Sequence, residues 1–325
     1  MIKKLLPPIA SVLNMLTNLS NKTLQAFSCL LLVFIYVCGG GSSTPDPGTT
    51  IDITEGGKII SYSPLNFKGT KEKPIKISSS DKKGQGIIVF SDGRESTVNH
   101  TIFEYLSNLE HGYWNVTGAV NFYESPVVLN FVTVSDNRCE DALNIIRTHF
   151  VMNNCTIKNT QSDAFDGDFV TGIIKASKFI NLGNDAIDIS GSDIKINNVQ
   201  ISEAGDKGLS AGEDSKMTIN YVSISTSEIA VAGKDLSIIN AKNLTIKNTK
   251  LAITAFQKKP EFGPSQITVT NVKMENVEMD YLVESTSSLL IDGKKVETSQ
   301  NVKDRMYGAE FGVSSDETRT KEYKN

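Results

Sequence analysis

Six phrases of similar wording recur at a fixed interval along the middle of the chain. 141-DALNII, 163-DAFDGD, 185-DAIDIS, 207-KGLSAG, 229-IAVAGK and 251-LAITAF each begin 22 residues after the one before. An unslipped period of this length leaves few architectures open, because a repeat this short cannot bury a core alone and must stack on its neighbours as a solenoid. Within each phrase the third residue is large and apolar: Leu143, Phe165, Ile187, Leu209, Val231 and Ile253. The fifth is apolar or small, and a period of two is that of a strand. The second is always Ala or Gly. Each period also carries an Asn-bearing stretch (153-NNCTI, 197-NNVQI, 220-NYVSI, 243-NLTI, 271-NVKM). Asn beside a strand reads as a stacked turn, its amides bonding to backbone and to one another. The chain is therefore expected to be all-β, a parallel β-helix of about 22-residue coils with two or three short strands each. Equivalent residues on adjacent coils then lie about 4.8 Å apart.

Domain boundaries follow from where this pattern stops. Lys3, Lys4 and Lys22 precede the apolar run 26-AFSCLLLVFIYV-37, which has signal-peptide length and is short for a transmembrane helix. The run ends at 38-CGGGSSTPDPGTT-50, and an apolar segment, one Cys and a Gly/Ser/Pro tether resemble a bacterial lipoprotein signal. Residues 1–38 are accordingly expected to be an export segment with Cys38 lipidated, holding the protein on a membrane in the periplasm or at the cell surface. Val37 departs from the small residue preferred before the Cys, so an uncleaved signal anchor stays open, as does Met15 as the start. Residues 39–57 read as a flexible tether, 58–302 as the β-helix and 303–325 as a polar, disordered tail. The irregular strands of 58–118 read as opening coils and a cap. With 33 basic against 37 acidic residues the net charge is -4, which carries no footprint of a nucleic-acid binder. Outside the export segment the only cysteines are Cys139 and Cys155. An exported chain could pair them, but Cys155 follows the Asn turn at an inward position and reads as a buried free thiol, and neither has a Cys or His partner at zinc-ligand spacing.

If positions three and five face inward, positions two, four and six face solvent. That places Ala164, Asp166 and Asp168 outward on one coil, and Ala186, Asp188 and Ser190 on the next. Asp166 and Asp188 share a column, and like charges directly opposed destabilise a sheet. A cation, a shared proton or a nearby base should compensate, with Arg147 and Lys207 as the candidate bases. At position one, Asp141, Asp163 and Asp185 read as caps on backbone N–H groups. For Asp166, Asp168 and Asp188 two readings stand side by side, a solvated acidic face and a carbohydrate or Ca2+ site. Upstream, 113-YWNVTGAVNFYES-125 offers Trp114 and Tyr123 to sugar rings, whereas Phe122 reads as core.

These coils resemble the right-handed parallel β-helix of the pectin-lyase-like superfamily, which implies a polysaccharide substrate and an active groove along one sheet. The phrases 162-SDAFDGDF, 184-NDAIDISGS and 206-DKGLSAGE are still more similar to a bacterial β-helix group associated with CotH-type (spore-coat kinase-like) proteins, which implies such a protein as partner. Polygalacturonase-type members carry Asn-x-Asp, a paired Asp and Gly-His-Gly on successive coils. Here Asp163 falls near the first, 184-ND-185 replaces the second, and 205-GDKG-208 puts Lys207 where the His would stand. No Arg-x-Lys follows at 229–236. The expected catalytic set is Asp166, Asp168, Asp188 and Lys207, with Arg147, Asp185, Trp114, Tyr123 and Glu213 binding substrate. Ca2+, if a cofactor is used, would sit on Asp166, Asp168 and Asp188. Two functions remain open: an enzyme cleaving polysaccharide as hydrolase or lyase, and a non-catalytic β-helix binding glycan or a partner protein.

Overall fold

The computed structural model describes residues 44–308, 310 and 311, with Trp114 described by its backbone alone. Cys38, the rest of the export segment and residues 312–325 lie outside the described residues.

The chain winds as a parallel β-helix with three strands per coil, so each coil adds one strand to each of three sheets. The first sheet holds Ile59–Ser61, Ile87–Val89, Gly118–Tyr123, Asp141–Ile146, Asp163–Asp168 and Ile187–Ser190 in succession. It continues through residues 207–212, 229–234, 251–256 and 279–283. His149–Asn153 and Thr171–Lys175 belong to the second sheet, Thr156–Thr160 and Lys178–Leu182 to the third. From Asp193 onward the three strands of a coil run on without a break, as in Asp193–Gly212, which pairs with a strand of all three sheets in turn.

Asparagine makes the corners. Asn154, Asn198, Asn243 and Asn271 at one corner, and Asn159, Asn181, Asn248 and Asn276 at another, have φ between 51° and 55°. Asn tolerates this left-handed conformation better than other non-glycine residues. The amides ladder from coil to coil, as in Asn181 Nδ2 to Asn159 Oδ1 at 2.9 Å and Asn276 Nδ2 to Asn248 Oδ1 at 3.1 Å.

The expected inward stack is present. Leu143, Phe165, Ile187, Leu209, Val231 and Ile253 are consecutive partners in the first sheet and are buried throughout. Position two, however, does not face solvent. The register passes from Asp141–Asp163 directly to Leu143–Phe165, and skips one residue in the same way on the later coils. At that irregularity Ala142, Ala164, Ala186, Ala230 and Ala252 turn into the core and are fully buried. Only a small side chain fits there: a Cβ on Gly208 would lie 2.8 Å from the Ala230 carbonyl oxygen and from Ile224 Cγ2. Position one is thereby returned to the outer face beside positions four and six.

Both ends of the first sheet are covered. A hairpin of Leu109–His111 and Trp114–Val116 lies over the first rungs, burying Leu109 against Ile60 and Ile88. At the other end a helix, Val302–Met306, falls in the stretch read as polar tail. Its charges dominate the sequence, but Val302 and Met306 stand four apart on one face, and with Phe311 they bury against Ile229, Ala232, Leu251, Phe256 and Leu282. The tether also contributes, because Thr50–Asp52 pairs with residues 76–78. Cys139 and Cys155 are buried and unpaired, and burial pushes their thiols up to about 12 and about 11.

Candidate functional site

The outer face of the first sheet changes character along the stack. Its sixth-position column begins as an aromatic ladder: Tyr62 stacks on Phe90 with centroids 5.7 Å apart, and Phe90 meets Tyr123 at 5.9 Å. Ile146, Asp168, Ser190 and, past Gly212, Lys234 continue the column. The fourth-position column runs Asn121, Asn144, Asp166, Asp188, Ser210, Ala232 and Thr254. The first-position column supplies Asp141, Asp163, Asp185 and Lys207. Three columns of a bent strand thus bring together carboxylates that straight alternation would divide between the two faces.

Asp166 and Asp188 stack as expected, one rung apart. Asn144 Nδ2 donates to Asp166 Oδ2 at 3.0 Å and to Asp141 Oδ2 at 3.1 Å, holding those two acids in place. Position-one acids cap the next coil: Asp163 Oδ1 accepts the Asp185 N–H at 2.9 Å, and Asp185 Oδ1 accepts the Lys207 N–H at 3.0 Å. Compensation comes in two forms. For Asp163 and Asp166 it is a shift toward the protonated form: burial first, then neighbouring acids (Asp185 and Asp141 for Asp163, Asp141 and Asp168 for Asp166), push both carboxyls well above their usual range. Burial and the Asp188 charge also raise Asp168. For the coils above it is lysine. Lys234 Nζ lies 3.7 Å from Asp188 Oδ1. Lys207 Nζ lies 3.5 Å from Asp185 Oδ1 and also pairs with Asp206.

Lys207 is only 4% exposed. Burial alone would lower its pKa, but Asp185 and Asp206 override that and hold the ammonium above its ordinary range. It is a buried structural cation, shielded from any substrate, and the role of catalytic base expected for it does not fit this position. Asp185, 2% exposed, belongs to the same buried unit rather than to a binding surface. Arg147 does not compensate Asp168 either. Its backbone N–H meets the Asp168 carbonyl, while its guanidinium reaches Glu124 at 4.0 Å, the Tyr123 hydroxyl at 3.4 Å and the Phe169 ring at 5.8 Å. It tethers the aromatic ladder. Glu213 pairs with Lys259 of the 257–266 insert, and Tyr123 lies in the ladder itself. The Trp114 side chain lies outside the described residues.

Polar capacity on this face is unfilled. Asn144 Oδ1, Asp188 Oδ1 and Ser210 Oγ are buried with no hydrogen-bond partner among the described residues. All three belong to the fourth-position column; Asp188 Oδ1 has its ion pair with Lys234, and for the other two a missing hydrogen bond costs on the order of 1–3 kcal/mol each. No group of three or more His, Cys, Asp or Glu side chains among the described residues could hold a metal ion. The Ca2+ expected on Asp166, Asp168 and Asp188 finds no ready-made site among them.

The raised carboxyls set an unusual pH dependence. Burial pushes Asp141 and Asp185 to about 6, above the model-peptide range near 4. Between these values the folded chain binds more protons than the unfolded one, so stability falls as pH rises through this window and levels off above it. Asp163 and Asp166 act in the same direction, whereas Asp81 and Glu310, held low by hydrogen bonds to backbone N–H groups and to Arg305 respectively, act oppositely. Denaturant unfolding is expected to give a higher stability at pH 5 than at pH 7, and Asn at positions 141 and 163 should flatten the difference.

Lys234, Asp206, Asn144 and the Tyr62–Phe90 pair were not singled out from sequence. Lys234 was legible, standing a whole number of periods beyond Asp168 in the sixth column. The ladder was not, because the first coils are 28 and 33 residues long, as the partners Ile59, Ile87 and Val120 show.

No protein-family model matches this chain, and no curated protein matches it. Among solved structures it is similar to the catalytic domain of a GH87 α-1,3-glucanase variant in complex with tetrasaccharides, at 11% identity and a TM-score of 0.43, covering 75% of this chain and 63% of that one. A second variant of a GH87 α-1,3-glucanase, in complex with nigerose, gives 12% identity and a TM-score of 0.41, covering 75% and 62%. A mannuronic acid specific family 6 polysaccharide lyase from human gut microbiota gives 12% and 0.28, covering 77% and 78%. The chain thus spans less than two thirds of the glucanase domains. Likeness at this level concerns β-helical architecture and transfers no residue role.

Proposed function

We propose that this β-helix binds polysaccharide along the outer face of its first sheet and hydrolyses a glycosidic bond at the acid cluster. The observation that carries the proposal is the unequal setting of two stacked carboxyls. The Asp166 carboxyl is held well above its usual range by burial and by the acids around it, while Asp188 one rung above is paired with Lys234. Two carboxyls with divided environments are what acid and base roles require. Asp166 donates its proton to the leaving glycosidic oxygen. Asp188 attacks the anomeric carbon, and water activated by Asp166 then releases the sugar. A one-rung separation of about 4.8 Å lies nearer the 5–5.5 Å of retaining pairs than the 6.5–9.5 Å of inverting ones. The ladder of Tyr62, Phe90 and Tyr123 offers aromatic surface to sugars further along the same face. A lyase is less well supported, because Lys207 is buried and paired with Asp185 and Asp206. The polysaccharide is met outside the cytoplasm, where the segment ending at Cys38 would hold the protein on a membrane.

A panel of neutral and acidic polysaccharides, with and without Ca2+, tests this. New reducing ends without unsaturated products are expected on at least one member. Saturable binding with no new ends would make the protein a glycan-binding module instead. Neither binding nor cleavage across the panel sinks the proposal.

A further inference from the structure

Beyond the acid cluster, the 257–266 insert and the C-terminal helix border an open cavity of about 490 Å3, lined by Lys258, Lys259, Glu261, Lys303, Asp304 and Tyr307 among others. The insert is fixed in place: Asp235 Oδ1 accepts the backbone N–H groups of Lys258 and Lys259 at 2.6 and 2.8 Å, and Glu284 Oε2 accepts that of Gln257 at 2.8 Å. Three lysines converge on the cavity, and they are not equally satisfied. Lys259 is engaged with Glu213. Lys258 is half-buried, its ammonium 5.2 Å from the centroid of the Tyr307 ring, and no ion pair to it occurs among the described residues. The two acids lining the cavity, Glu261 and Asp304, are exposed and leave it unpaired. Burial, then the nearby Lys234 and Lys207, lower the Lys258 pKa. A half-buried cation with no ion pair among the described residues, beside an open cavity, is stabilised by an incoming anion.

We propose that this cavity binds the oxyanion of an acidic sugar, its carboxylate held by Lys258 and Lys303. The cavity borders the proposed glycan face, so the polysaccharide would carry an acidic unit at that end. Its affinity for an anion does not depend on turnover.

Lysine labelling reads this directly. An anion seated on Lys258 raises its pKa, and one unit corresponds to about tenfold less free amine and slower acetylation. Glucuronate should protect Lys258 from acetic anhydride saturably, as read by peptide mass, while glucose should not. Protection should weaken in Lys303→Gln. It should persist in Asp166→Asn, so that failure of the hydrolase reading and failure of this one remain distinct. Because Lys258→Gln removes a cation from among cations, it should fold and melt as the parent does, and glucuronate binding measured by calorimetry should fall at least about tenfold. Inorganic sulfate protecting as well as glucuronate would assign the site to a free oxyanion and overturn the sugar. No protection by either anion, or equal protection by glucose, overturns the site.

Discussion

Asp166→Asn should fold as the parent does, melt at the same temperature or higher at pH 7, and lose polysaccharide turnover by about 10²- to 10⁴-fold, the usual contribution of a positioned general acid. The three outcomes have one cause. Burial, and then the surrounding Asp141, Asp168, Asp188 and Asp163, hold the Asp166 carboxyl well above its usual range, which favours its protonated form. An amide at this position has nearly the shape of that protonated acid, and it adds no charge to the cluster. What it cannot do is deliver a proton. Asp188 is the less informative position, since it is paired with Lys234, and its loss would leave a buried ammonium without that partner. Turnover is read as reducing ends on the responsive polysaccharide, and stability by thermal melting at pH 7. Unchanged turnover in a folded variant removes Asp166 from the chemistry. A large loss of stability with turnover retained per folded molecule would make the residue a structural one.

The division between what was legible and what was not follows the physics of the repeat. A large apolar side chain at the third position of each phrase, recurring at 22 residues, could only be a stacked core, and Leu143 through Ile253 form it. Asn at the corners was legible for a similar reason, since left-handed φ favours few residues and Asn154, Asn198 and Asn243 recur in register. The site was only half legible. Strict alternation puts position one on the same side as positions three and five, and so it hid that Asp141, Asp163, Asp185 and Lys207 share a face with Asp166 and Asp188. The clue was the unbroken Ala or Gly at position two, which a solvent-facing column would not need. Its meaning, a backbone bend that turns this residue into the core, depends on three-dimensional crowding. Burial of Lys207 was equally invisible. Nothing in 205-GDKG-208 says that Tyr307, a hundred residues on, stands close enough to lower the local exposure and feel the Lys207 charge.

Lys207→Met is expected to cost about 3–5 kcal/mol of stability at pH 7, the range found when one partner of a buried ion pair is removed. Lys207 is a single cation held between two buried carboxylates, Asp185 and Asp206. Methionine fills much of the same volume, so the loss measures charge rather than a cavity. Without the ammonium, Asp185 loses the attraction that opposes its desolvation, and its pKa, already raised to about 6 by burial, must climb further. The penalty is therefore one of ionisation, and protonation removes it. Denaturant unfolding should show a clearly smaller difference from the parent at pH 5 than at pH 7. Adding Asp206→Asn to Lys207→Met should recover part of the loss at pH 7, a non-additivity expected of groups in direct contact. A catalytic base would behave in the opposite way. Lys207→Met would then abolish turnover in a protein as stable as the parent, with no dependence of the stability difference on pH, and the buried-cation assignment would have to be given up.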